Sequence, residues 1–122
     1  MAGKILVVED NRDSREMLVL LFQHEGYSVV AASDGREGLR MAHTESPELI
    51  ITDLHMPHLS GVEMIAELRG QESFEHTPIL AMTAYDNSEE RRALEAGASF
   101  AVMKPVAIEE LFRHVARLLN SE

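Results

Sequence analysis

The chain has 122 residues, enough for one unit with a real core, and it carries no cysteine and a formal net charge of −10. These numbers exclude disulfides, thiolate nucleophiles and cysteine-based zinc sites, and the acidic balance argues against nucleic-acid binding through a basic face. The longest apolar run, MLVLLF at 17–22, falls far short of the ~18 residues of a membrane span. One lysine before ILVV does not make a signal peptide, so the expectation is a cytoplasmic protein with no membrane insertion.

Five short apolar runs alternate with helical patterns. ILVV (5–8) comes first and runs into Glu9 and Asp10. Leu18, Leu21 and Phe22 then share one helical stripe, which Gly26 stops as a C′ glycine. SVVAA (28–32) is the second run and LIIT (49–52) the third, ended by Asp53. Ser60 and Glu63 have capping-box spacing before the stripe of Met64, Ile65 and Leu68. ILAMT (79–83) leads into Ala84, and Gly97 closes the following helix. FAVM (100–103) leads into Lys104 and Pro105, and Ile108, Leu111, Phe112, Val115 and Leu119 form the last stripe.

Runs rich in β-branched residues and without polar alternation suit parallel strands covered on both faces. Five such strand–helix units imply an α/β, doubly wound (βα)5, flavodoxin-like domain with strand order 2-1-3-4-5. The whole chain, 1–122, is expected to be one domain with its core at about 4–119. Ligands of such sheets sit beyond the carboxyl ends of the strands, near the reversal of strand order between strands 1 and 3.

That edge collects chemistry. Glu9 and Asp10 follow strand 1, Asp53 ends strand 3, Thr83 ends strand 4 and Lys104 follows strand 5. At ~5 Å and an effective dielectric of ~20, each like-charge pair costs about 3 kcal/mol. One lysine does not offset three carboxylates, and hard oxygen donors favour Mg2+, with Mn2+ as the alternative. Asp10 and Asp53 are the expected direct ligands, with the His55 backbone carbonyl, and Glu9 acts from the outer shell through water.

The motifs VVEDN, ITDLHMPHLSG, AMTAY and VMKPV, in that order and spacing, resemble the receiver domain of bacterial two-component response regulators, of the chemotaxis-regulator kind. The resemblance covers about residues 4–119. It implies that Asp53 accepts a phosphoryl group from a histidine kinase or histidine phosphotransfer protein. Glu9 and Asp10 then hold the metal, while Thr83 and Lys104 bind phosphoryl oxygens. It also implies a cis Lys104–Pro105 peptide, and an output surface made by the fourth helix, fifth strand and fifth helix. Arg91 and Arg92 read as a solvated helix face or, with Arg113 and Arg117, as part of that surface. Residues two past the aspartate and two past the threonine, His55 and Tyr85, tune the lifetime of the phosphorylated state; both are bulky, which implies slow hydrolysis. Ala84 and Pro105 belong to the same switching set.

One position departs from the family. Three residues before the lysine, receivers usually carry Tyr or Phe, and this chain has Ala101. Phe100, one residue earlier, points to the opposite face of its strand and is expected to pack in the core. Coupling from threonine to an aromatic ring is therefore expected to be absent, with more of the signal passing through the start of the fourth helix. Other readings are weaker. An aspartyl-phosphate phosphatase places its nucleophile after the first strand with a second aspartate two residues on, and an FMN binder needs a Ser/Thr/Gly-rich loop where EDNRDS stands. A receiver-shaped scaffold or phosphorelay intermediate with weak switching is the remaining alternative, kept alive by Ala101. His55 and His58 lack metal-motif spacing, and the seven methionines are expected mostly to fill core gaps. Only three residues follow the last stripe, which suggests a stand-alone regulator or a piece of a larger kinase or regulator.

Overall fold

The computed structural model describes residues 3–84 and 87–120. Strands β1 (Lys4–Val8), β2 (Ser28–Ala32), β3 (Leu49–Asp53), β4 (Ile79–Thr83) and β5 (Phe100–Met103) are separated by helices α1 (Arg12–His24), α2 (Gly35–Glu45), α3 (Gly61–Arg69) and α4 (Asn87–Ala96); α5 (Ile108–Asn120) follows β5. All strand pairs are parallel and the order is β2-β1-β3-β4-β5. Each apolar run became a strand within one residue of its expected bounds. The cause is visible in burial: Ile5, Leu6, Val7 and Val8 are all 0% exposed, because the central strands are covered on both faces.

Alternate side chains build two cores. Ile5, Val7, Leu49, Ile51, Leu80, Met82 and Val102 pack with Leu18 and Phe22 of α1 and Leu111 and Val115 of α5. Leu6, Val8, Ile50, Ile79, Ala81 and Ala101 pack with Ala42 of α2, Met64, Ile65 and Leu68 of α3 and Ala93 of α4. Helix ends follow the sequence signals. The Ser60–Glu63 capping box is complete at α3, and Gly26 and Gly97 take φ of 100° and 125°. Asn11 and Asp34 cap α1 and α2 through their side chains.

Two expectations need refinement. Phe100 does lie on the opposite face from Ala101, but it is only half-buried, with its ring 4.6 Å from that of His114 and the Arg117 guanidinium 5.1 Å above it. Met64 and Met82 fill core space, whereas Met17 and Met103 are exposed. Among the described residues, no helix is long and apolar enough to cross a membrane.

Candidate functional site

Sheet register sets the site. Val8 pairs with both Ala32 and Thr52, Asp53 with Met82, and Thr83 with Met103. Residues 9, 53, 83 and 104 therefore leave the sheet at one edge. Two backbone hydrogen bonds extend the ladder past the strand ends: Glu9 N–H donates to Ala32 O at 3.1 Å, and Lys104 N–H to Thr83 O at 2.7 Å. The Lys104–Pro105 peptide is cis.

At that edge Glu9, Asp10 and Asp53 bring carboxylate oxygens within 4.8 Å of one another. Glu9 is 2% exposed and Asp53 7%, while Asp10 faces solvent. The Lys104 ammonium donates to Asp53 Oδ2 at 3.2 Å and to Glu9 Oε1 at 3.4 Å. The other oxygens are held by backbone: Leu54 N–H donates to Asp53 Oδ1 at 2.7 Å, and Asn11 N–H to Glu9 Oε2 at 3.1 Å. Arg15 reaches the Glu9 carbonyl at 3.0 Å and fixes the loop from behind. Gly61 is required here for space, since a Cβ on it would lie 2.2 Å from the Asp53 carbonyl oxygen. The β3–α3 loop thus folds tightly over the end of β3.

The charges do not balance. Burial pushes the Glu9 carboxyl above its ordinary value, and the neighbouring Asp53 adds to the rise against the lowering by Asn11 N–H and Lys104. Burial would lower Lys104, but Asp53 and Glu9 override it and hold the ammonium above its ordinary value. Three carboxylates face one ammonium. The donors are hard oxygens, two of them largely withdrawn from water, and this set fits a small divalent cation.

On the α4 side the structure adds a residue that sequence reasoning missed. The Thr83 hydroxyl, fully buried, donates to Glu89 Oε1 at 3.0 Å, and Glu89 Oε2 lies 2.5 Å from His55 Nε2. In sequence, a glutamate in a first helical turn reads only as favourable to the helix dipole. Its reach back to strand ends requires the fold. The His55 side chain is exposed, and so is that of His58, which takes φ 69°. Ala84 is exposed, Ala101 is 9% exposed, and Tyr85 lies outside the described residues.

Comparison with known proteins bears on this arrangement. A family model described as the response regulator receiver domain matches residues 5–116. The chain is similar to Response regulator MprA of Mycobacterium tuberculosis, 42% identical over 121 residues, covering 98% of this chain and 52% of that protein. It thus spans about half the length of the curated relatives it matches. Among solved structures, the chemotaxis response regulator CheY4 of Vibrio cholerae superposes with a TM-score of 0.90 at 32% identity, covering 97% of this chain and 99% of that one. The receiver domain of sensor histidine kinase PA1611 from Pseudomonas aeruginosa, with a magnesium ion coordinated in its active-site cleft, gives 0.91 at 31% identity, covering 99% and 100%.

Proposed function

Because the chain belongs to the response regulator receiver domain family, we propose that Asp53 accepts a phosphoryl group from a phosphohistidine of a histidine kinase or histidine phosphotransfer protein. One observation carries this reading: a buried aspartate at the end of β3 has one oxygen pinned by Leu54 N–H and the other 3.2 Å from the Lys104 ammonium, inside an acid cluster. In the transfer, an Asp53 oxygen forms a bond to phosphorus as the phosphorus–nitrogen bond breaks, and that electron pair stays with the imidazole. An ionised carboxylate needs no general base for this step. Positioning and charge stabilisation carry the rest.

Asp10, Asp53 and the His55 backbone carbonyl would hold Mg2+ or Mn2+, with Glu9 acting through water. Such an ion would supply charge neutralisation for the carboxylates and the incoming phosphoryl oxygens. Lys104 binds a phosphoryl oxygen, and the Thr83 hydroxyl turns towards another. A hydrogen bond to a charged group gives ~1.5–3 kcal/mol, while a 1:99 to 99:1 reversal needs about 5.5 kcal/mol. Thr83 alone does not throw the switch, so Lys104 and the β4–α4 loop share the work.

The donor fits beside α1. Exposed Met17 lines, with Leu18 and Leu21, an apolar groove that runs to Glu9, Lys104 and Pro105 at the edge of the site. Output fits the α4–β5–α5 face, where Leu94 and Met103 are exposed large apolar residues and Arg91, Arg92, Arg113 and Arg117 are exposed. The setting is the cytoplasm, where phosphohistidine donors act. His55 hinders water and slows hydrolysis of the acyl phosphate to minutes or longer. A lifetime of seconds that His55→Gly leaves unaltered would contradict that point.

An NMR titration with Mg2+ and then beryllofluoride tests the reading. Amides around 9–10, 53–55, 83–84 and 104 are expected to shift in the wild type and not in Asp53→Asn. Equal shifts in both proteins would overturn it. In the same experiment Ala101→Tyr is expected to carry shifts further into β5 and α5; an unchanged map would place the ring outside the signal.

A further inference from the structure

Glu89 is the third residue of α4, and its carboxylate touches two other segments. Oε1 accepts from the Thr83 hydroxyl at the end of β4, at 3.0 Å, and Oε2 meets His55 Nε2 in the β3–α3 loop, at 2.5 Å. The side chain is 15% exposed, so the pair with Thr83 is largely shielded from water. A threonine hydroxyl has one proton to donate. It is given to Glu89 in this arrangement, and it cannot simultaneously be given to a phosphoryl oxygen on Asp53.

We propose that Glu89 is a positioning residue that holds Thr83 in its unphosphorylated orientation and releases it when Asp53 is phosphorylated, tying the first turn of α4 directly to the site. The inference rests on the phosphoryl-acceptor reading of Asp53. Exchange of one anionic acceptor for another makes the threonine's turn nearly balanced, so Glu89 sets how much of the phosphoryl group's attraction is spent on the switch. The connection also needs no aromatic ring. Ala101, paired with Ala81 across β4 and β5, offers only a methyl group, whereas Glu89 spans from strand end to helix by itself.

The test compares wild type, Glu89→Ala, Glu89→Gln and Thr83→Ala, with the Thr83→Ala/Glu89→Ala double variant, by NMR titration with beryllofluoride in the presence of Mg2+. Removal of the competing acceptor is expected to tighten beryllofluoride binding by about tenfold, which corresponds to about 1.4 kcal/mol. Glu89→Gln, a neutral acceptor of the same shape, is expected to fall between. In the Thr83→Ala background the gain from Glu89→Ala is expected to shrink to less than about twofold, as a pairwise coupling requires. Before any ligand is added, first-turn amides of α4 in Glu89→Ala are expected to move towards their beryllofluoride-bound positions in the wild type. Unchanged or weaker binding by both Glu89 variants, with wild-type binding intact, overturns the latch alone. A full tenfold gain in the Thr83→Ala background does the same, since it reports a general charge effect. Failure of the wild type to bind overturns the acceptor reading itself and the latch with it.

Discussion

Helix α4 is held to the sheet by smaller side chains than α1 and α5 on the opposite face, or than its neighbour α3 with Met64, Ile65 and Leu68. Against one face, α1 and α5 set Leu18, Phe22, Leu111 and Val115, and the Phe22 ring meets Tyr27 and Phe112 edge-on at 5.8 and 5.2 Å. Against the other, α4 contributes Ala93 as the one buried residue among its described side chains, in a cluster with Ala81, Ala98 and Ala101. A buried methylene is worth about 0.8 kcal/mol, against about 1.5–3 kcal/mol for a whole Leu or Phe side chain. Polar ties hold α4 at its ends instead. Glu89 binds the site at one end, and Arg69 donates to Gly97 O at 2.8 Å just past the other. A helix anchored by methyl groups and end contacts moves at low cost, and the chemistry lies beside that helix.

Large-to-small substitution breaks the firm side hardest. Phe22→Ala is expected to cost about 3–5 kcal/mol in urea denaturation. A loss under about 1 kcal/mol would show that the α1–α5 core is not the main store of stability. Ala93→Gly sharpens the contrast at about 1 kcal/mol, with the change in native-state hydrogen exchange confined to α4. In the wild type, α4 amides are expected to exchange through local opening well below the global free energy. Protection in α4 equal to that of β3 would remove the comparison.

The smallest effect lies at the site and is electrostatic. Because the Glu9 carboxyl stands above its ordinary value in the fold, the folded state binds a proton more readily than the unfolded chain. That contribution is fully present below the ordinary carboxylate range and lost as pH rises through the raised value. In chelator, Glu9→Gln is therefore expected to melt higher than wild type at pH 7, with the gap closing towards pH 4.5. A gap that widens with falling pH would contradict the sign.

Much of this was legible in the chain, for a physical reason. Strands buried on both faces leave uninterrupted apolar runs, so β1 through β5 announce themselves, and the residue after each run has to lie at the edge of the sheet. Asp53 and Lys104, 51 positions apart, meet at 3.2 Å because of that rule alone. Glu89 was not legible. Its contacts depend on where a helix start lies relative to two other segments, and a first-turn acid looks the same whether it faces water or a strand end. The half-burial of Phe100 was also hidden, since alternation fixes a face but not how far an outer strand is covered.

Acetyl phosphate, with intact-protein mass spectrometry, puts the central claim to its most direct trial. With Mg2+ present, the wild-type chain is expected to gain the mass of one phosphoryl group, and Asp53→Asn or added chelator to prevent it. Equal labelling of Asp53→Asn, or labelling indifferent to chelator, would contradict the account.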